Sequence, residues 1–167
     1  RLSDLPDSAR KEAIASNPLV LTKTNATSRV HRPAYIDYVG IKRFNDKGEV
    51  SGEDRFIGLY AASAYNQSAT QVPLIRERPL RVLEKSRFSP QSHAYKALLN
   101  ILETYPRDEL FQSTEDELLN VGLGVLQMQE RDMTRLFVRR DLFGRYYTCM
   151  VYVPKERYST QLRIATQ

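Results

Sequence analysis

Apolar positions along this chain follow two rhythms, a period of two towards both ends and a helical period in the middle. Leu19 to Thr24 alternates and predicts a short strand, which Asn25 to Ser28 breaks. Ala34 to Phe44 is rich in Tyr, Ile and Val with near-alternation and predicts a second strand. Asn45-Asp-Lys-Gly48 then supplies residues that tolerate positive φ, and Val50 to Tyr60 returns as the partner of a β-hairpin. The same alternation reappears in Thr134 to Arg140 and Arg145 to Val153, with a turn at Asp141-Leu-Phe-Gly144 and Pro154 closing the second strand.

Between the hairpins the period becomes helical. Ala61 to Gln67 predicts a short helical turn, and Pro73 and Pro79 bracket a linker. Pro79 suits a helix start leading into Leu80 to Phe88. Ser89-Pro90 is expected to open the next helix, with Ser89 as cap and Pro90 at its first position. Tyr95, Leu98, Leu99, Leu102 and Tyr105 make one apolar stripe on it, and Pro106 stops it. Thr114 and Glu117 have the spacing of a capping box, and Glu115 and Asp116 add negative charge at the positive end of the helix dipole. That helix carries Leu118, Leu119, Val121, Val125, Leu126 and Met128. Gly122 and Gly124 inside it each cost about 1 kcal/mol relative to Ala, so another backbone is expected to approach there. The chain opens with a polar stretch holding a short helix over Ser8 to Ala15 and ends on a helix capped by Ser159 or Thr160. This beginning and end read as those of a piece of something longer.

The order strand, hairpin, three or four helices, hairpin predicts an α+β fold. The expected arrangement is an antiparallel sheet of about five strands with helices inserted between two hairpins, PAS-like in order. An ACT-like ferredoxin arrangement is the alternative, since the last helix, the hairpin and the final helix fit part of βαββαβ. The expected organisation is an entry arm over 1–16, one PAS-like domain over 17–156 and the start of a following helix over 157–167.

The 167 residues, 41% hydrophobic and 27% charged, are ordinary for a globular domain. No segment approaches the roughly 20 apolar residues of a membrane span, and one cysteine makes no internal disulfide, which fits a reducing cytoplasm. Net charge is +5, from 25 Lys and Arg against 20 Asp and Glu. Acids and bases are interleaved, so a mixed solvated surface explains it better than a nucleic-acid face.

No convergent set of reactive groups stands out. Gly122-Leu-Gly124 lies inside a helix rather than in a phosphate-cradling loop, so no nucleotide site is supported. His31, His93 and Cys149 are too scattered for metal-ligand spacing. Cys149, alternating with Tyr147 and Val151, is expected as a small buried hydrophobe. His31 at a strand entrance and His93 in a first helical turn read as structural. Glu103, Asp108 and Glu109 around Arg107 suggest acid–base chemistry at first sight, but local ion pairing and capping explain them. Arg135, Arg139, Arg140 and Arg145 with Phe137, Phe143, Tyr146 and Tyr147 look superficially like an RNA-stacking sheet. Gly144-Arg-Tyr-Tyr-Thr-Cys-Met-Val-Tyr departs from the wording such sheets carry, so an RNA-binding module stays a minor alternative.

Longer wording narrows the picture. Val30-His-Arg-Pro-Ala-Tyr-Ile-Asp-Tyr-Val-Gly-Ile-Lys-Arg-Phe44, Gly52-Glu-Asp-Arg-Phe-Ile-Gly-Leu-Tyr60, Ser63-Ala-Tyr-Asn66, Leu99-Asn-Ile-Leu-Glu-Thr-Tyr-Pro-Arg-Asp-Glu-Leu-Phe-Gln112 and the second hairpin resemble the very large NAD-specific glutamate dehydrogenases of bacteria. Tyr105-Pro-Arg-Asp-Glu-Leu-Phe111 is long and compositionally odd. A small departure is Ala62, where the resemblance leads one to expect a hydroxyl residue.

The resemblance implies the non-catalytic N-terminal region, with its PAS-like and ACT-like domains, of a cytoplasmic homo-oligomer that converts glutamate to 2-oxoglutarate and ammonia with NAD. No position here matches a substrate lysine or a nucleotide loop. The resemblance therefore implies no catalytic, cofactor-binding or metal residue in this segment, and NAD bound elsewhere in the full-length enzyme. Its role would be regulation or assembly. Partners would be other domains of the same enzyme and sister subunits, a small-molecule effector being the alternative. Arg107, Asp108, Glu109, Arg139 and Arg140 are the residues expected to meet another domain or subunit. Leu110 and Phe111 are expected to plug the core, and Pro106 and Thr114 to mark a joint between two helices.

Overall fold

Five strands and seven α-helices form among the described residues, 6–73, 75–128 and 131–165 of the computed structural model. The α+β class holds, and the chain falls into two compact units, 1–67 with 140–146, and 68–139 with 147–167. The expected 17–156 span takes in parts of both. Of the expected entry arm, residues 1–5 lie outside the described residues, as do 166–167 of the final helix.

In the first unit, α1 (Asp7–Ile14) precedes β1 (Leu19–Thr27), β2 (Tyr35–Phe44), β3 (Val50–Gly58) and the short α2 (Ala62–Asn66). The strands form one antiparallel sheet in the order β1-β2-β3. The expected hairpin is present: Phe44 faces Val50, Gly48 adopts φ 77°, and the Asn45 side-chain oxygen accepts from the amides of Lys47 and Glu49. β1 does not stop at Asn25. It runs to Thr27 with a register shift after Lys23, because a bulge absorbs the polar residues without ending the pairing. One sheet face buries Val20, Thr22, Gly40 and Lys42. The Lys42 ammonium donates to the carbonyls of Glu12 and Ala15, placing a cation at the C-terminal end of α1 where the helix dipole favours it.

The second unit is built on α3 (Glu77–Ser86), α4 (His93–Glu103), α5 (Arg107–Gln112) and α6 (Glu115–Met128), with β4 (Arg135–Arg140), β5 (Tyr147–Tyr152) and α7 (Thr160–Ala165). α3 begins before Pro79, which sits in the first turn where helical amides have no intrahelical partner to lose. α4 is capped by Ser92, whose hydroxyl accepts from the Tyr95 amide at 3.1 Å, and not by Ser89. Ser89 instead starts a turn, its carbonyl accepting from the Ser92 amide at 2.8 Å, and Pro90 suits the second position of a turn as well as a helix start. The Thr114–Glu117 capping box forms in both directions. Ser159 caps α7 through the Leu162 amide at 3.1 Å.

Leu98, Leu102, Leu110, Leu118 and Val82 are fully buried, with Tyr105 and Phe111 nearly so, and they make the helical core. Pro106 does end α4. The expected joint is itself a helix, α5, started by the Pro106 carbonyl accepting from the Leu110 amide at 2.9 Å.

Two expectations are corrected. The five strands do not form one sheet but a three-stranded and a two-stranded one. The β4–β5 pair is held by its own unit: Phe137 lies edge-on to Tyr152 at 5.7 Å, and Arg139 is tied to α5. The glycines of α6 make room for side chains rather than for a backbone. A Cβ on Gly122 would stand 2.7 Å from Leu98 Cδ1, and one on Gly124 2.8 Å from the Phe137 ring.

Candidate functional site

The acids and bases that invite a catalytic reading are placed by α4, α5 and β4. Asp108 and Glu109 lie in the first turn of α5, where the helix dipole favours negative charge. Glu109 projects into the core and meets Arg139, an inward residue of β4. Arg139 Nε donates at 2.7 Å and Nη2 at 3.0 Å to the two carboxylate oxygens. The Thr148 hydroxyl adds a third bond to Glu109 at 2.9 Å. Both charged side chains are only 8% exposed. A paired, doubly bonded carboxylate in such a place is a structural lock.

Glu103, at the end of α4, accepts from the Ser68 hydroxyl at 2.7 Å and the Ala69 amide at 2.9 Å. Burial pushes its carboxyl up, but the hydrogen bonds from Ser68, Ala69 and Thr70 outweigh this and hold it below the usual range. Arg107 lies one turn on, its guanidinium 3.9 Å from Glu103 and largely buried. The Asp108 carbonyl accepts from the Gln112 side chain at 3.1 Å. Arg140 is exposed, and its guanidinium lies beside Gly144, which turns at φ 68°. Glu109 and Arg139, both expected to meet another domain or subunit, are buried and paired with each other within the second unit.

A second polar cluster went unnoticed in the sequence. In the first unit, the Asp141 carboxylate accepts from Thr22 at 2.8 Å and from Arg145 Nε at 3.1 Å, while Arg145 Nη2 donates to the Thr22 hydroxyl at 2.8 Å. Burial raises the Asp141 carboxyl, but Arg145 and Thr22 prevail and hold it low. The Arg145 guanidinium also stacks over Phe143, 5.1 Å from the ring centre. Thr22 lies 119 and 123 residues from Asp141 and Arg145 in sequence, and no local signal marks the three as one cluster. Arg78 is a third missed residue. One of its nitrogens donates to the Leu110, Phe111 and Ser113 carbonyls at 3.4, 2.6 and 3.2 Å, capping the end of α5.

Among the described residues, chemistry-bearing side chains do not converge further. His31 is exposed at φ 67° between β1 and β2, and His93 is exposed at the start of α4. Among the described residues no three His, Cys, Asp or Glu side chains could hold a metal ion. No described helix is long and apolar enough to cross a membrane.

Cys149 reverses its expectation: it is exposed, not buried. The alternation of β5 is real, but Thr148 and Tyr152 supply the inward face, through Glu109 and Phe137, so Tyr147, Cys149 and Val151 face outward. On β4 Phe137 and Arg139 point in and Leu136 and Val138 out. One side of this hairpin therefore presents Leu136, Val138, Tyr147, Cys149 and Val151 to solvent.

Residues 72–131, which hold α3 to α6, match the family described as glutamate dehydrogenase, helical motif 1. Residues 135–167, which hold β4, β5 and α7, match glutamate dehydrogenase, ACT2 domain. Together the two matches cover more than half of the chain. The chain belongs to the NAD-specific glutamate dehydrogenase family. Its similarity to the NAD-specific glutamate dehydrogenase of Halomonas elongata is 47% identity over 140 residues, 84% of this chain and 9% of that protein. For the Pseudomonas aeruginosa enzyme of the same name it is 43% over 157 residues, 93% and 10%. For that of Mycobacterium tuberculosis it is 31% over 146 residues, 87% and 9%. The chain thus spans about a tenth of the length of the curated relatives it matches. No solved structure matches it. The ACT2 match is compatible with the ACT-like alternative for residues 135–167.

Proposed function

We propose that this chain is a non-catalytic assembly segment of a cytoplasmic, homo-oligomeric NAD-specific glutamate dehydrogenase. The complete polypeptide would oxidise glutamate to 2-oxoglutarate and ammonia, with NAD bound outside this segment. One observation carries the reading: the charged groups that could do chemistry are spent on holding the segment together, while an apolar hairpin face stays open. Glu109 is occupied by Arg139 and Thr148, and Glu103 by Ser68 and Ala69. A general base needs a carboxylate aimed at a substrate proton, and these carboxylates are aimed at donors of their own segment. An interaction role instead needs a rigid element with apolar surface to lend, and β4–β5 is one.

The test compares the 167-residue chain with the complete polypeptide. Glutamate-dependent NAD reduction is expected from the complete polypeptide and not from the 167 residues; turnover by the short chain overturns the reading. Calorimetry of the short chain with amino acids and nucleotides is expected to show no saturable heat. A saturable signal would replace assembly with effector sensing.

A further inference from the structure

The open face of β4–β5 holds five apolar side chains on two strands, and exposed Arg140, at the end of β4, continues the same outward alternation. Leu136 and Val138 are each 55% exposed, Tyr147 64% and Val151 46%, and Cys149 lies between the last two. Side chains two apart on a strand are about 6.7 Å apart and those facing across a pair about 5 Å apart, so the five form one continuous patch. A two-stranded sheet is marginal by itself and needs packing to persist. The opposite side of this hairpin has that packing, through Phe137, Arg139, Thr148 and Tyr152, and the open side does not.

We infer that this face is covered within the enzyme by an amphipathic helix of the same polypeptide, from outside residues 1–167. The inference rests on the proposed function. The relatives run to about ten times the length matched here, so nine-tenths of such a polypeptide lies elsewhere. A segment tethered by a short flexible linker reaches an effective concentration on the order of millimolar, which favours cover from the same polypeptide. A flat apolar patch two strands wide accepts the apolar stripe of one helix, whose i, i+3, i+4 and i+7 positions span a comparable strip. The one charge in this outward alternation, Arg140, stands at the end of β4, so the body of the patch is apolar.

The experiment uses the complete polypeptide with p-benzoylphenylalanine at position 136 (Leu136→p-benzoylphenylalanine), irradiated and mapped by mass spectrometry. The expected product is an intrachain crosslink to a peptide outside 1–167 with apolar residues at helical spacing. An interchain product, a crosslink within 1–167 or to a stretch without that spacing, or no crosslink overturns the inference. A measurement without substitution accompanies it: maleimide labelling of Cys149 in the wild-type complete polypeptide, native against guanidinium-denatured. Native labelling is expected to be at least ~100-fold slower, at all protein concentrations. Similar rates, or protection lost on dilution, overturn intramolecular cover. Absence of glutamate-dependent NAD reduction in the same wild-type preparation counts against the proposed function alone and leaves both readouts interpretable.

Discussion

Arg139 grips Glu109 through two parallel hydrogen bonds of 2.7 and 3.0 Å, tying β4 to the first turn of α5 across 30 residues of sequence. Two charges removed from water cost several kcal/mol each, and their attraction offsets this only while both partners are present. Glu109→Gln is therefore expected to lower stability by about 3–5 kcal/mol, because it leaves a buried guanidinium without its counter-charge. The double change Glu109→Leu with Arg139→Met should cost much less than the sum of the two single changes. Urea denaturation of the four proteins measures the coupling. Additive losses would show that the pair does not act as a unit.

Gly124 sets a second test, in which two effects oppose each other. Replacing a mid-helix glycine by alanine gains about 1 kcal/mol of helix propensity. Here the added methyl would stand 2.8 Å from two atoms of the Phe137 ring and 3.0 Å from Arg135 Nη1. That ring is buried, and the Arg135 guanidinium lies 4.9 Å from its centre, so it has little room to move. Overpacking of this kind costs about 1–3 kcal/mol. Gly124→Ala is expected to destabilise by up to about 2 kcal/mol net, read as a lowered denaturation midpoint at unchanged slope. A stabilised variant would mean that Phe137 yields easily.

These two sites show what the sequence could and could not disclose. The hairpin turn at Asn45 to Gly48 and the Thr114–Glu117 box are local, and residue chemistry alone dictates them. The face of β5 was not legible, because Tyr147, Cys149 and Val151 are as apolar as Met150 and Tyr152. Alternation then fixes which residues share a face but not which face is inward. The Thr148–Glu109 bond and the Tyr152–Phe137 ring contact decide that, and the first joins residues 39 apart in sequence. Ser89 and Ser92 were equally good caps by type, and only the fold of the intervening turn separates them. The division into two sheets was hidden for the same reason, since strand count does not determine strand partners.

Acid should weaken the protein through Glu103 and Asp141. Both carboxyls are held below their ordinary values of 4.5 and 3.8 in the folded chain. Each therefore contributes stability that is fully present above its ordinary value. That contribution is lost as pH falls through this value towards the lower folded one, when the unfolded chain takes up protons first. Melting temperature is expected to hold steady from pH 7 to about 5 and to drop below about 4.5. In Glu103→Gln the gap from wild type should shrink as pH falls through that window. A gap independent of pH would assign the Glu103 contribution to hydrogen bonding irrespective of charge.

Arg78 offers the most local of the tests. A single guanidinium nitrogen donates to the carbonyls of Leu110, Phe111 and Ser113, the orphan acceptors where α5 ends. Burial lowers the pKa of this arginine, yet a guanidinium stays charged throughout the accessible range. Arg78→Met keeps much of the aliphatic stem but removes the donors. A hydrogen bond from a charged group contributes about 1.5–3 kcal/mol, and these three share one nitrogen, so a total loss of about 2–3 kcal/mol is expected. Because the bonds converge on one short helix, much of that loss should appear as local opening. Hydrogen exchange at the amides of Leu110 to Ser113 is expected to accelerate more than exchange within α4. Equal acceleration in both helices would make Arg78 a general contributor to the core rather than the cap of α5.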